Sequence, residues 1–263
     1  MSTKLASLLA AHYILLARSF VVILGCIAVW WGIIELPVFW RESSTERIAD
    51  RIIAGEPFNS DTLSRQLPVL QAAENSPNCR PSAVRSAAII RLRIVEYNNS
   101  SGNKSHIDEQ SNALRNSTRT SLSCSPADPF LWLVYYWMQS TQNGPTSEQL
   151  KYLRMSYQLG PNEGWIALKR NRLAFAIIDQ LPPDLAENAI DEFVGLLDTG
   201  FYEQAAEIFT GPAWHVRNLI LARLDSIPDR RLKPLANAVH RLGYEVGLPR
   251  IDEADRLPWQ KNQ

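Results

Sequence analysis

The sequence predicts an all-α protein in which one membrane-crossing helix precedes a helical, water-soluble body. Three observations predict it. An apolar segment, Ser19 to Trp40, stands near the start of the 263-residue chain. In the rest of the chain, apolar residues recur at helical spacing. Strand signals are sparse: alternating β-branched runs are few, and the dipeptide Asn143-Gly144 lies between two helical patterns, not two strands.

The apolar segment comes first in the chain. Ser19 to Ile34 contains no charged residue, and a helix needs roughly 20 apolar residues to cross a hydrocarbon core about 30 Å thick. A helix also satisfies its own backbone hydrogen bonds there. Trp30, Trp31 and Trp40 cluster toward the second end, where indole rings favour the lipid interface. Glu35 interrupts the run, and Pro37 is expected to break the helix or mark its last turn. The run is long, residues 1–18 precede it, and its exit is bulky, so it reads as an uncleaved anchor and not a signal peptide. Leu5 to Leu16 is also mostly apolar and reads as an interfacial helix.

Orientation is nearly tied by charge. Lys4 and Arg18 precede the span, and Arg41, Arg47 and Arg51 follow it. Cys79 and Cys124 bear on the choice. Each stands two residues before a proline, in NCRPS and SCSPA, and each reads as preceding a helix. Two unpaired thiols are one reading and a bridge is the other. A bridge persists in an oxidising compartment and would put the body outside the cytoplasm. Cys26 lies in the span and reads as a packing residue. The expected layout is a body in the periplasm, tethered to the inner membrane by one helix.

In the body, Thr45–Ala54, Asp61–Ala73 and Ser82–Tyr97 show helical apolar stripes, with Pro68 a kink or early stop in the second. Asn98 to Ser105 is the most polar stretch and reads as a loop. Its sequons at Asn98, Asn99 and Asn103, and that at Asn116, read as solvated polar sequence. Helices are then expected over Phe130–Ser140, Ser147–Leu159, Trp165–Ile178, Pro183–Thr199, Ala213–Ser226 and Arg230–Leu242, with Gly243 as a C-cap. The resulting division is 1–18, 19–40 (membrane helix), 41–125, 126–246 and an irregular tail, 247–263.

Asp128-Pro129 and Gly160-Pro161 lie 32 residues apart, and Trp132 and Trp165 lie 33 apart. With Gly144 at a turn, Leu153 at a large apolar position and Ser156 at a small one, this stretch resembles tetratricopeptide repeats of roughly 34 residues. Gly200 to Phe209 echoes the second helix of such a repeat. Gln149 stands where the pattern has alanine, and the two turn glycines are out of register. The resemblance implies an irregular helical array over about Pro126 to Pro212. The general plan also resembles membrane-anchored envelope proteins of Gram-negative bacteria, including accessory proteins of polysaccharide export.

Chemistry is scarce. Lys plus Arg equals Asp plus Glu at 27 each, so no field gathers nucleic acid. The four histidines and three cysteines show no metal-site spacing, and no nucleophile elbow or phosphate loop occurs. No cofactor or metal is expected. The acid pairs Asp191-Glu192 and Glu203/Glu207 read as solvated helix faces. The remaining features are aromatic and basic residues. Trp132, Tyr136 and Trp165, with Arg154, Lys169, Arg170 and Arg172, are the expected partner-binding residues. Arg230, Arg231 and Lys233 form a second basic cluster. The expected function is a membrane-anchored protein–protein interaction module, or scaffold, of a cell-envelope assembly. An enzyme acting on envelope glycans and a packing subunit of a larger membrane complex are the alternatives.

Overall fold

The computed structural model describes residues 2–101, 107–245 and 247. Among them every regular element is a helix, and no strand occurs. The chain forms two compact units, Met1–Ile90 and Arg91–Gln263, which divide within a helix. The expected irregular tail lies outside the described residues except for its first residue, Gly247.

The first unit opens with α1, Ser2–Ile53, a single helix of 52 residues. It contains both the expected membrane helix and the expected Thr45–Ala54 helix. The expected stop at Pro37 is absent. Proline removes one ladder hydrogen bond and crowds the preceding turn, but here helix-forming sequence continues on both sides. Leu16–Pro37 is long and apolar enough to cross a membrane, and none of it is buried. The far end is different: Thr45 and Ala49 are buried, and α1 packs there against α3, Leu67–Glu74. Between them lies α2, Ser60–Ser64, capped by Asn59, whose side chain accepts a hydrogen bond from the Asp61 amide at 3.0 Å. The expected Asp61–Ala73 helix is thus two helices, with Pro68 in the first turn of α3, where its missing N–H costs nothing.

Glu35, the charge in the apolar segment, has a partner. Arg80 holds Glu35 at 2.6 Å through one guanidinium nitrogen and Glu42 at 3.0 Å through the other. The two glutamates are two turns apart on α1, so they share a face. Hydrogen bonding to Glu42 is the largest effect raising the Arg80 pKa. Arg80 directly precedes α4, Pro81–Ser101, so this ion triad fixes the start of α4 against α1. The polar stretch read as a loop from Asn98 is helical to Ser101, and residues 102–106 lie outside the described set.

The second unit continues with α5, Ile107–Cys124, a helix that the apolar pattern does not announce. Its inner face is Leu114, Ser117, Thr118 and Ser121, all buried, at i, i+3, i+4 and i+7. Small hydroxyl residues replace the usual leucines, and the Thr118 hydroxyl is satisfied within its own helix by donating to the Leu114 carbonyl at 2.8 Å. Cys124 therefore ends a helix.

α6, Pro129–Asn143, is capped by Asp128, which accepts from the amides of Phe130 (2.9 Å) and Leu131 (3.2 Å). α7, Ser147–Leu159, opens with a capping box: the Thr146 amide donates to Gln149 Oε1, and the Gln149 amide donates to Thr146 Oγ1. α6 packs on α5 and on α7. Gly160, ending α7, lies so close to Pro129 that a Cβ there would come within 2.5 Å of the ring.

α8, Gly164–Phe175, pairs with α9, Pro183–Asp198. A 3₁₀ turn at Ile178–Gln180 replaces the end of the expected Trp165–Ile178 helix. α10, Tyr202–Thr210, packs on α12, Asp229–Arg241. Between them, the expected Ala213–Ser226 helix is a 3₁₀ turn, Trp214–Val216, followed by α11, Arg217–Leu224. Gly243 ends α12 at φ 83°, and Tyr244 N–H returns to the Val239 carbonyl at 3.3 Å, as a Schellman cap requires. One aromatic chain runs through these helices. Phe175 meets Phe193 at 6.0 Å, Phe193 meets Phe209 at 6.3 Å, and Phe209 meets Trp214 at 6.1 Å.

Candidate docking surface

The expected basic cluster on α8 separates by direction. Lys169, Arg170, Asn171 and Arg172 are consecutive, so they spread around the helix at about 100° steps. Ile166 and Ala167, Arg170 and Asn171, and Ala174 and Phe175 repeat at i, i+4 and i+8, and all six are buried. Arg170 thus lies on the apolar stripe, with its side chain 0 % exposed.

Every guanidinium donor group of Arg170 is used. Nε donates to Glu192 Oε1 at 2.9 Å, and one terminal nitrogen donates to the Ser156 carbonyl at 2.6 Å and its hydroxyl at 3.0 Å. The other terminal nitrogen donates to the Gly160 carbonyl at 2.9 Å and to Glu192. The guanidinium also covers the Tyr157 ring at 4.3 Å. Asn171 Nδ2 donates to Glu192 Oε2 at 3.1 Å and to the Ala189 carbonyl at 2.9 Å. Arg170 therefore ties the C-terminal carbonyls of α7 to the carboxylate on α9, and it is unavailable to a partner. Glu192, expected on a solvated face, is 5 % exposed at its side chain. It stands three residues after Ala189 and four before Leu196, on the apolar stripe of α9. Burial raises the Glu192 pKa against the pull of Arg170. Burial also raises the Tyr157 hydroxyl well above its ordinary value, with Glu192 adding to the shift.

Five further arginines are cross-helix struts. Arg154 pairs with Asp184, Arg172 with Glu207, Arg223 with Asp191, Arg231 with Asp198 and Arg241 with Glu203. Glu207 and Glu203, expected as solvated acids, are exposed and occupied in these pairs. Of the expected aromatic residues, Tyr136 is 2 % exposed and belongs to the core. Trp165 is half-buried against Phe130 at 4.8 Å. Trp132 stacks on Tyr152 at 5.9 Å, Tyr135 meets Tyr152 edge-on at 4.7 Å, and all three rings are half-exposed. The indole N–H of Trp132 is spent on the Pro126 carbonyl at 2.7 Å, so this ring offers a face and no donor. Lys169 is exposed and rims a depression of about 230 Å³ floored by Leu92, Leu133 and Trp137.

A larger groove, about 540 Å³, lies between the α7–α8 turn and α9. Its lining includes Tyr157, Asn188, Asp191, Glu192 and Gly195, none of which is among the expected partner-binding residues; Asp191 and Glu192 read from sequence as a solvated helix face. The available signal was the stripe position of Glu192. Among the described residues no three His, Cys, Asp or Glu side chains converge as a metal site would require. No family model, curated protein or solved structure matches the chain.

Two outcomes test the Arg170 centre. Arg170→Ala leaves a buried carboxylate alone and should destabilise the second unit by about 3–5 kcal/mol; Arg170→Met with Glu192→Leu should lose much less, both read by urea midpoints. The second test is pH. Glu192 ionises at ordinary carboxylate values when unfolded and at higher pH when folded. Between the two the folded state holds the extra proton, so stability falls as pH rises through that window. Glu192→Gln should flatten this slope above the ordinary carboxylate range; an unchanged slope contradicts the assignment.

Proposed function

We propose that the protein is a membrane-anchored interaction module, without catalytic function, whose helical second unit docks a partner protein of a bacterial cell-envelope assembly. The observation that carries this reading is Leu16–Pro37. This apolar stretch is 22 residues long and wholly exposed. Exposed apolar area of that extent is costly in water and needs a lipid or protein cover. A membrane supplies it, and α1 then continues into folded protein on one side. Trp30, Trp31 and Trp40 are exposed near one end of the stretch, as interfacial anchors would be.

The cysteines support an extracytoplasmic body. Cys26 is free, and Cys79 and Cys124 are in the disulfide state. Such bonds persist on the oxidising side of a membrane. The reading therefore places the amino terminus in the cytoplasm and the body in the periplasm.

The pairs α6–α7 and α8–α9 support a tetratricopeptide-like array, with grooves between successive helices as docking surfaces. One departure from the repeat pattern has a structural reason. Gln149 builds the α7 capping box and donates to the Gln139 carbonyl at 3.2 Å. Arg170 occupies the place of a core residue on α8. Tethering such an array beside a membrane assembly raises the effective concentration of its partner.

The test is photo-crosslinking in intact cells from a benzophenone side chain at Lys169 or Tyr135. Discrete adducts that vanish when residues 2–40 are replaced by a cleaved leader are expected; none at either position overturns the docking reading. The topology has its own check. An impermeant maleimide applied from outside should label Cys79 and Cys124 only after reduction; labelling without reduction removes the bridge, and labelling only after lysis reverses the orientation.

A further inference from the structure

We propose that the cavity between α4, α5 and α6 binds a small zwitterion: an amino acid or dipeptide with a free amino group, a free carboxylate and an apolar side chain. The site is separate from the docking surfaces above and does not depend on the docking reading.

The polar wall of the cavity comes from α5. Asp108, Ser111, Asn112 and Arg115 line it. They stand at i, i+3, i+4 and i+7, so they form one stripe along the helix. The stripe carries a carboxylate at one end and a guanidinium at the other, about 10.5 Å apart along the axis. Neither side chain forms a hydrogen bond or ion pair with another described residue.

Arg115 is the group that calls for a ligand. It is half-buried, and its Nε is sealed from solvent with no hydrogen-bond partner. By contrast Arg154, Arg172, Arg223, Arg231 and Arg241 each hold an acid. A buried donor without an acceptor is costly, and a charged one more so. A ligand carboxylate removes that cost, because its two oxygens match the fork of guanidinium donors.

The other end of the stripe selects an amino group. Asp108 is exposed in the first turn of α5, and its carboxylate is open to a ligand ammonium. A simple anion gains Arg115 and is repelled by Asp108; a simple cation meets the reverse. A molecule with both charges satisfies both residues. Ser111 and Asn112 stand between them and offer a hydroxyl and a carboxamide to a peptide group.

The remaining wall is apolar. Leu114 and Met138 are buried there and Trp137 is half-buried, which gives an apolar ligand side chain a surface to cover. The volume, about 570 Å³, falls within the roughly 300–1,000 Å³ of small-molecule sites.

The test is isothermal titration calorimetry on the full chain in lipid nanodiscs. The probes are L-leucine and L-alanyl-L-leucine, each also in N-acetylated form, which lacks the ammonium, and in C-amidated form, which lacks the carboxylate. Amino acid and dipeptide share the recognised chemistry, and the tighter of the two identifies the source. The tighter zwitterion should bind with a Kd of about 1 mM or below, and each blocked form of it at least about tenfold more weakly. Arg115→Gln should abolish the preference for a free carboxylate and keep that for a free amino group. Asp108→Asn should do the opposite. A merely structural role for either residue would not separate the two preferences. If Arg115→Gln fails to fold, Arg115→Lys keeps the charge without the fork and should weaken the zwitterion about three- to tenfold, while Asp108→Asn, at an exposed position, still reads the amino end. Three results overturn the proposal: no binding of either zwitterion up to about 10 mM, a blocked form that binds as well as its zwitterion, or variants that leave the ratios between forms unchanged.

Discussion

The second unit depends on a buried cation that has to be neutralised. Arg170 is sealed among α7, α8 and α9, and an unpaired charge there would cost several kcal/mol. Glu192 neutralises it, and the carbonyls of Ser156 and Gly160 take its remaining donors. Those carbonyls stand at the end of α7, where the helix dipole is negative; the Ser156 carbonyl, which also accepts the Gly160 amide at 3.2 Å, takes the guanidinium as a second donor. One side chain therefore caps one helix, is held by a second, and salts to a third. Displacing any of the three helices strands a charge, so the mutual arrangement of α7, α8 and α9 is tightly specified. The groove wall is made of the same helices, and its geometry follows from that centre.

This constraint explains why the basic residues looked like a binding surface from sequence. Lys169, Arg170, Asn171 and Arg172 form a hydrophilic run, and composition alone makes such a run a solvated face. Helical phase says otherwise, because Arg170 and Asn171 fall on the stripe of Ile166, Ala167, Ala174 and Phe175. Glu192 falls on the stripe of α9 in the same way. Both burials were legible one helix at a time. Their pairing was not, since the partners are 22 residues apart and on different helices. The struts are harder still. Arg154–Asp184, Arg172–Glu207 and Arg241–Glu203 span 30, 35 and 38 residues, and no local spacing connects such residues before the packing is known. With Arg154 and Arg172 each paired to an acid and Arg170 buried, the exposed features left among the expected docking residues are Lys169 and the Trp132 ring, stacked on Tyr152.

The fold was more legible than the site, because helices declare themselves through local period. α7, α9 and α12 appear where apolar residues recur at three and four. α5 did not declare itself because its inner face is Ser117, Thr118 and Ser121, which a hydropathy pattern scores as surface. Of these hydroxyls, that of Thr118 bonds back to its own helix, which lets it be buried at small cost. The turn chemistry was legible for a similar local reason: Asp128, Thr146 and Gly243 act within four residues of themselves. Pro37 shows the opposite limit. A proline removes one hydrogen bond, and a helix supported on both sides continues through it.

Glu35 joins these arguments at the membrane end. A carboxylate inside an apolar segment is costly unless it is paired or reaches water. Arg80 pairs it and holds Glu42 with its other nitrogen, so the charge that seems to spoil the apolar stretch marks where exposed apolar helix gives way to folded protein. Both glutamates lie on one face of α1, which means the helix has a defined side toward the start of α4. A flexible tether would need no such contact. A helix docked by an ion triad holds the start of α4 at a set height and azimuth relative to α1; on the anchor reading proposed above, the same contact would orient the first unit with respect to the bilayer as well as retain it there.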